Sequence, residues 1–128
     1  MRVLVVDDLS INRVILSDML ASAQIEAVEA ADGHAALALL EAQPFDLVLM
    51  DVRMPGMDGF EAVRAIRRMG SGIAATPVVI VTGDVTDETA RQAAACGAND
   101  VLHKPVELTK LLDAVARIAV GSGRSVLP

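Results

Sequence analysis

Runs of apolar residues alternate with amphipathic stretches five times along the chain. Three of the runs, 3–6, 47–50 and 78–81, are apolar without a break, which is typical of strands in a parallel sheet covered by helices on both faces. Two runs are weaker: residues 25–29 alternate between apolar and polar side chains, and Val101-Leu102 is very short. The pattern predicts five strands, with strands 1, 3 and 4 inside the sheet and strands 2 and 5 at its edges.

The segments that follow the runs have the apolar spacing of helices. The positions with this spacing are Ile11, Val14, Ile15 and Met19 in the first segment, Ala36, Leu37, Leu39 and Leu40 in the second, Phe60, Val63, Ile66 and Met69 in the third, and Leu108, Leu111, Leu112, Val115 and Ile118 in the fifth. The fourth segment, from about Thr86 to Cys96, is rich in alanine and stops at Gly97. The expected helix caps and ends are Ser10 or Asp8 as the first N-cap, Asp58 as the third, and Gly70 as the end of the third helix.

A strand–helix unit repeated five times with short connections predicts right-handed crossovers and an α/β doubly wound fold. The expected sheet is parallel and five-stranded, with the flavodoxin-like order 2-1-3-4-5 and helices on both faces. In such sheets ligands bind beyond the carboxyl ends of the strands, near the switch point between strands 1 and 3. We expect one domain over residues 1–120, followed by a flexible tail or the start of a linker over 121–128.

Composition narrows the possible functions. The chain has 128 residues, 53% of them hydrophobic and 22% charged, which allows a buried core and excludes wholesale disorder. The net charge of −6 argues against nucleic acid as a direct partner, and two Phe with no Trp or Tyr leave no stacking platform for bases or a flavin ring. The single cysteine, Cys96, cannot form an internal disulfide, and we expect it as a small buried hydrophobe. No apolar run approaches the roughly 18 residues that span a bilayer, so we expect a cytoplasmic protein with no membrane association.

Polar side chains end four of the five predicted strands. Strand 1 is followed by Asp7-Asp8, strand 3 by Asp51, strand 4 by Thr82, and strand 5 runs into Lys104. Each has an ordinary explanation by itself, since Asp often caps helices, Thr often begins turns and Lys is usually solvated. Those separate explanations do not account for why the polar groups meet at one edge of the sheet.

Three carboxylates that converge on this edge would repel one another. At ~4 Å and an effective dielectric of about 20, each like-charge contact costs about 4 kcal/mol, so the cluster needs a cation or protonation. Oxygen ligands with room for water suit Mg²⁺, with Mn²⁺ as an alternative. Zinc is disfavoured because the sequence has no set of Cys and His ligands. A divalent cation beside a further carboxylate, a hydroxyl and an ammonium supplies the parts for phosphoryl transfer to an aspartate, which gives an acyl phosphate.

The residues of this edge lie within motifs that resemble the receiver domain of the response-regulator family in two-component signalling, over residues 1–119. The motifs are Val5-Val6-Asp7-Asp8, Leu49-Met50-Asp51-Val52-Arg53-Met54-Pro55-Gly56-Met57-Asp58-Gly59, Val81-Thr82-Gly83, Gly97-Ala98-Asn99-Asp100 and Lys104-Pro105. Each motif is weak alone, but their order and spacing together are specific. Residues 8–13 also resemble receivers attached to hybrid histidine kinases.

The resemblance implies that Asp51 is the phosphoacceptor in a Mg²⁺-dependent step of a two-component phosphorelay. The donor would be a histidine kinase or a histidine phosphotransfer protein, with small acyl phosphates as substitutes in vitro. Asp8 and Asp51 would bind Mg²⁺ together with the backbone carbonyl of Arg53, and Asp7 would act mainly through a metal-bound water. The domain would catalyse its own phosphorylation and dephosphorylation as a signalling module and not as an enzyme.

The resemblance also assigns roles at the ends of strands 4 and 5. Lys104 would pair with the phosphoryl group, Thr82 would hydrogen-bond to it, and the Lys104–Pro105 peptide bond would be cis. A homodimer through strands 4 and 5 and helices 4 and 5 is a further expectation. The chain would be either a stand-alone regulator or a part of a hybrid kinase or larger regulator.

Four positions depart from the family pattern or tune the site. Val101 stands three residues before the lysine, where most members carry Tyr or Phe, and valine cannot perform the aromatic in-and-out rotation linked to activation. We therefore hypothesise that output runs through backbone shifts around strands 4 and 5 and helix 4, or that the domain mainly passes phosphate onward. Arg53 and Asp84 flank the site, and we hypothesise an ion pair between them across its mouth. Gly83 replaces the commoner alanine and leaves the entrance less crowded.

Other classes of function are weighed against this one. A phosphohydrolase of the haloacid-dehalogenase type would need a second Asp two residues after its nucleophile, where this chain has Arg53. A flavodoxin is disfavoured by the Asp-rich first loop and by the absence of stacking aromatics. A receiver that serves only as a scaffold is disfavoured because all five site residues are present.

Overall fold

The computed structural model describes residues 1–70 and 72–121. Its five parallel strands are β1 (Arg2–Val6), β2 (Glu26–Ala30), β3 (Leu47–Asp51), β4 (Val78–Thr82) and β5 (Asp100–His103). They form one sheet in the order β2-β1-β3-β4-β5, which confirms the predicted fold and strand order. Every residue of β3 and β4 is buried, whereas the edge strand β2 buries only Ala30 fully. The contrast between unbroken and interrupted apolar runs thus reflects the position of each strand in the sheet.

Helices connect the strands and cover both faces of the sheet. They are α1 (Ser10–Ser22), α2 (Gly33–Ala42), α3 (Gly59–Arg67), α4 (Asp87–Cys96) and α5 (Leu108–Gly121), and a 3₁₀ turn that the pattern did not predict spans Ile73–Ala75. Asp58 caps α3 as predicted, since its carboxylate accepts the N–H of Glu61 at 2.8 Å and the Glu61 side chain accepts the N–H of Asp58 at 3.2 Å. Helix α3 ends at Arg67, before the predicted Gly70, because the following N–H groups bond to carbonyls three residues back.

The N-terminus of α1 differs from the prediction. Leu9 occupies the cap position in place of Ser10 or Asp8, and no side chain caps the helix. The carboxylate that approaches this turn belongs to Asp7, whose Oδ1 accepts the N–H of Leu9 at 3.0 Å. Because Asp7 satisfies that donor, the exposed side chain of Asp8 takes no part in capping.

The core lies in two layers, one on each face of the sheet. Alternate strand residues such as Val6 and Met50 pack with side chains of α2, α3 and α4, and their neighbours Val5 and Leu49 pack with α1 and α5. Cys96 belongs to the first layer and is 4% exposed, as expected for a small buried hydrophobe. Burial of both faces removes the need for alternating polar residues in the inner strands.

Helix α1 confirms only Met19 of its predicted stripe, which is partly buried against the core. Ile11, Val14 and Ile15 are exposed by 62%, 46% and 45%, and Leu16 and Leu20 face the sheet in their place. The helix carries more apolar side chains than a single stripe can bury, so periodicity alone does not identify the buried face. Three apolar side chains are therefore left on the surface.

The last helix confirms most of its predicted stripe. Leu111 and Val115 are buried, but Leu108 at its start is 40% exposed. Helix α5 extends to Gly121, and residues 122–128 of the predicted tail lie outside the described residues. None of the helices in the described ranges is long and apolar enough to cross a membrane.

Candidate functional site

The carboxyl ends of four strands bring the predicted polar residues to one edge of the sheet. Asp7 follows β1, Asp51 ends β3, Thr82 ends β4 and Lys104 follows β5. Asp7, Asp51 and Thr82 are buried, whereas Asp8 is exposed. The N–H of Lys104 donates to the Thr82 carbonyl at 2.8 Å, which extends the β4–β5 ladder by one residue and aligns the lysine with the other strand ends.

Lys104 links the two buried carboxylates. Its Nζ lies 3.0 Å from Oδ2 of Asp7 and 2.9 Å from Oδ1 of Asp51. The lysine side chain is 26% exposed, while those of Asp7 and Asp51 are 1% and 9% exposed. One ammonium therefore bridges β1, β3 and β5 at the floor of the site.

The pKa values of Asp51 and Lys104 are both raised, for different physical reasons. Burial raises the pKa of Asp51, and the charges of Asp7 and Asp8 add to the rise, against the opposing hydrogen bond from Lys104. Burial acts to lower the pKa of Lys104, but its hydrogen bonds to Asp51 and Asp7 and their negative charges outweigh burial and raise it. The ammonium stays charged at neutral pH, while ionised Asp51 is held in an unfavourable field that a bound cation would relieve.

The acidic cluster has the donor set of a hard cation. One carboxylate oxygen each of Asp7, Asp8 and Asp51 lie within 4.8 Å of one another. Three ionised carboxylates against the one ammonium of Lys104 leave a formal charge of −2 in the cluster. Within residues 1–70 and 72–121 no group donates a hydrogen bond to the Asp8 carboxylate, and no His or Cys joins the cluster. Oxygen donors of this kind fit Mg²⁺ or Mn²⁺ and not zinc.

The start of α3 packs directly against the backbone of Asp51. A Cβ atom on Gly59 would lie 2.1 Å from the Asp51 carbonyl oxygen, so only glycine fits at this position. The Gly59 N–H donates to the Val52 carbonyl at 2.8 Å. This contact closes the loop that contains Arg53, whose backbone carbonyl is predicted to bind Mg²⁺ with Asp8 and Asp51.

An open cleft of about 540 Å³ exposes the site to solvent. Its lining residues are Asp8, Leu9, Asp51, Arg53, Thr82, Gly83, Asp84 and Lys104. Arg53 Nη2 lies 3.4 Å from Asp84 Oδ2 across the mouth, with side chains 82% and 54% exposed. The hypothesised ion pair is therefore present, and at this exposure it contributes under ~1 kcal/mol to stability.

The ends of β4 and β5 have a defined resting arrangement. The Thr82 hydroxyl accepts the N–H of Asp84 at 3.1 Å, and His103 Nε2 lies 3.3 Å from the Gly83 carbonyl oxygen. The Lys104–Pro105 peptide bond is cis, as expected. Val101 is half-buried and packs against the core layer of α2, α3 and α4.

Two site residues escaped sequence reasoning. Gly59 was included in a motif, but its close approach to Asp51 was not inferred, since sequence reveals no distances. Arg13 donates from Nη1 to the Asp7 carbonyl at 2.8 Å; it lies within the motif of residues 8–13, but its contact with Asp7 was not inferred.

The fold and the site together define a class of protein: a doubly wound α/β domain with an acidic cluster and a lysine at the carboxyl ends of its strands. The chain belongs to the response regulator receiver domain family, whose model matches residues 3–116. Magnesium-dependent phosphorylation of an aspartate within two-component systems is the general property of this family.

The chain also resembles part of a longer bacterial protein. It is 36% identical over 129 residues to the sensory/regulatory protein RpfC of Xanthomonas campestris pv. campestris, an alignment of 100% of this chain and 18% of that protein. The chain thus spans less than a fifth of the length of this relative.

Solved structures match the fold closely. The chemotaxis protein CheY4 of Vibrio cholerae has a TM-score of 0.85 at 36% identity, covering 91% of this chain and 97% of that one. The receiver domain of the sensor histidine kinase PA1611 from Pseudomonas aeruginosa PAO1, which has a magnesium ion coordinated in its active site cleft, has a TM-score of 0.83 at 30% identity, covering 91% and 94% of the two chains.

Proposed function

We propose that Asp51 of this chain accepts a phosphoryl group from a phosphohistidine of a histidine kinase or a histidine phosphotransfer protein, in a Mg²⁺-dependent step. The observation that most strongly supports this is the setting of the Asp51 carboxylate. It is buried at the floor of an open cleft and hydrogen-bonded to Lys104, and the neighbouring Asp8 carboxylate accepts no hydrogen bond from the described residues. A carboxylate in this setting can act as a nucleophile, and a bound cation and the lysine ammonium can stabilise the negative charge of the transition state.

In the transfer, a carboxylate oxygen of Asp51 attacks phosphorus in line with the bond to the donor imidazole. A P–O bond forms and the P–N bond breaks, with its electron pair kept by the ring nitrogen, which then takes up a proton. Lys104 neutralises charge on the phosphoryl oxygens, and the Thr82 hydroxyl, which accepts the N–H of Asp84, donates its own hydrogen to the phosphoryl group. In dephosphorylation water attacks phosphorus, and the carboxylate leaves with inorganic phosphate as the other product.

The proposed Mg²⁺ ligands are Asp8, Asp51 and the backbone carbonyl of Arg53. Both oxygens of Asp7 already accept hydrogen bonds, one from a backbone N–H and one from Lys104, each at 3.0 Å. This supports an indirect role for Asp7 through a metal-bound water. When bound, Mg²⁺ supplies positive charge that offsets the cluster and the phosphoryl oxygens.

Exposed apolar side chains beside the cleft support docking of the phosphohistidine partner. Leu9, Ile11, Val14 and Ile15 are 45% to 62% exposed, and we call them the α1 patch. Leu9 also lines the cleft with Asp51. A helical partner surface laid on the α1 patch would therefore bring its imidazole to the phosphoacceptor.

A groove continues the α1 patch towards the loop after β5. Its volume is about 430 Å³, and its lining residues are Asn12, Ile15, Leu16, Met19, Val81, Lys104, Pro105 and Val106. Because Lys104 borders both groove and cleft, an apolar side chain in the groove would fix the partner's distance from Asp51. We expect this groove to recognise the partner.

We further propose that phosphorylation at Asp51 alters the surface of β4, β5 and α4 through the backbone, or that the domain mainly passes phosphate onward. Val101 provides no aromatic ring for rotation, whereas Thr82 is free to exchange its bond from Asp84. A homodimer through the face of β4, β5, α4 and α5, a cytoplasmic location and the lack of direct nucleic-acid binding stay predictions. The formal net charge of −6 supports the last of these.

The test is phosphate incorporation by the full chain from acetyl phosphate with MgCl₂. Base-labile, acid-stable incorporation is expected in the wild type and in Asp113→Asn, which changes an exposed aspartate of α5. No incorporation is expected in Asp51→Asn or in EDTA. Incorporation into Asp51→Asn would refute the assigned acceptor, and sustained turnover of a phosphomonoester would favour a phosphohydrolase.

A further inference from the structure

We propose that Arg13 is a positioning residue for the magnesium site, acting through the peptide group between Asp7 and Asp8; the inference rests on the proposed function. Arg13 lies in α1, close in sequence to the exposed α1 patch. Its own side chain is only 17% exposed. The guanidinium is therefore directed inward, towards the loop that follows β1.

The guanidinium joins three elements. Its Nη1 donates to the Asp7 carbonyl oxygen at 2.8 Å, and its Nε donates to Glu29 Oε1 of β2 at 3.1 Å. The other oxygen of Glu29 accepts from the Ser17 hydroxyl at 3.4 Å. Because Glu29 is held on two sides, it orients Arg13, and the planar fork of Arg13 transmits that orientation to Asp7.

The bonded carbonyl lies where it controls Asp8. The Asp7 carbonyl and the Asp8 nitrogen belong to one planar peptide group. The orientation of this carbonyl therefore fixes the orientation of the bond from the Asp8 nitrogen to its Cα atom. On the other side of Asp7, its N–H donates to the Ala30 carbonyl at 3.2 Å. The Asp8 side chain itself receives no hydrogen bond within the described ranges, so the backbone alone presents its carboxylate to an ion.

Charge and positioning predict opposite effects of removing Arg13. If Arg13 acted through its charge, its loss would remove a positive group near a cation site, and Mg²⁺ would bind more tightly. If Arg13 acts by holding the peptide group, its loss leaves Asp8 free to adopt several directions, and Mg²⁺ binds more weakly. Residues that orient metal ligands in this way typically contribute about 10- to 100-fold to metal affinity.

The experiment is calorimetric titration of the unphosphorylated full chain with MgCl₂. Arg13→Met is expected to raise the Kd for Mg²⁺ about tenfold. Glu29→Gln keeps an acceptor for Arg13 Nε and is expected to leave the Kd within about twofold of the wild type. The double variant, which restores the wild-type net charge, is expected to bind as weakly as Arg13→Met.

The controls separate positioning from charge and from folding. Arg91→Met removes an arginine paired with Glu88 on α4, with a side chain 70% exposed, and its Kd is expected to match the wild type. Should Arg13→Met fail to fold in EDTA, Arg13→Lys keeps the charge without the planar fork and is expected to weaken binding by roughly threefold.

The possible outcomes are distinct. The role of Arg13 would be overturned by unchanged or tighter Mg²⁺ binding in Arg13→Met, or by a return of wild-type affinity in the double variant. If Arg13→Met does not fold, unchanged Mg²⁺ binding in Arg13→Lys would overturn it. A wild-type chain that takes up no Mg²⁺ would instead overturn the proposed function.

Discussion

Replacing Gly59 with alanine tests whether the start of α3 holds the phosphoacceptor in place. The added Cβ would lie 2.1 Å from the Asp51 carbonyl oxygen, 2.9 Å from the Asp51 carbonyl carbon and 2.9 Å from Val52 Cα. Each of these atoms belongs to the backbone, so no side-chain rotation can relieve the overlap. Either α3 or the end of β3 must move.

The size of that movement follows from the distances. Side-chain Cβ atoms essentially never approach other atoms within 3.0 Å, so the contact at 2.1 Å requires a shift of at least 0.9 Å. Overpacking of a buried contact costs about 1–3 kcal/mol, and loss of the bond from the Gly59 N–H to Val52 would add about 1 kcal/mol. A displacement of about 1 Å at a reacting group lowers rates by as much as roughly 100-fold.

Two measurements check this expectation. Urea unfolding is expected to give a free energy of unfolding about 2–4 kcal/mol below the wild type for Gly59→Ala, with phosphorylation from acetyl phosphate slowed at least tenfold. Gly70→Ala is the matched control, because a Cβ at that position meets no atom within 4 Å. If Gly59→Ala behaved like this control in both assays, the close-approach argument would be wrong.

Four other perturbations follow from the same geometry. Asp8→Asn should raise the stability in EDTA, since it removes one of three clustered negative charges that the single lysine does not balance. It should also abolish the stabilisation by added MgCl₂, which in the wild type is about 2.7 kcal/mol at 100 times the Kd and is measured as a rise in Tm; a retained rise would contradict the ligand assignment. The pKa of Asp51 is raised in the folded state, so the wild type loses stability as the pH rises through that pKa and Asp51 ionises. In EDTA, Asp51→Asn should therefore be more stable than the wild type at neutral pH and should lose this advantage in acid. A stability difference that does not depend on pH would contradict the raised pKa. Asp84→Ala should change the half-life of the phosphoryl group on Asp51 while altering stability by under ~1 kcal/mol. An unchanged half-life would mean that the ion pair between Asp84 and Arg53 does not control access of water to the phosphoryl group. Beryllofluoride should shift NMR signals from the β4–α4 loop through β5 despite Val101, and unchanged spectra there would leave only the phosphate-relay alternative.

The strands and the site composition were predictable because burial on both faces of a parallel sheet leaves unbroken apolar runs. Each such run ends at a polar residue, which located Asp7, Asp51 and Thr82 from the sequence alone, and Lys104 follows the short fifth run. The short edge strand β5 was found from two residues only, and its true extent, Asp100–His103, adds one residue at each end. Local chemistry also located the cap of α3, since capping depends on residues three apart.

Orientation and long-range contact were not predictable in the same way. Helix α1 is apolar on more than one side, and only packing against the sheet selects Leu16 and Leu20 for burial. The bond from Arg13 to the Asp7 carbonyl depends on where β2 places Glu29, sixteen residues further along the chain.

The amino-acid sequence by itself determined the α/β order of this receiver domain and the identity of its acidic and basic groups, because apolar runs and strand-end chemistry are local properties. Only the tertiary structure decided that Lys104 bridges Asp7 and Asp51, that Gly59 lies against Asp51, and that Asp8 is left unengaged by the described chain. Those features depend on distances between groups that are not neighbours in sequence, and the packing of helices on the sheet sets these distances.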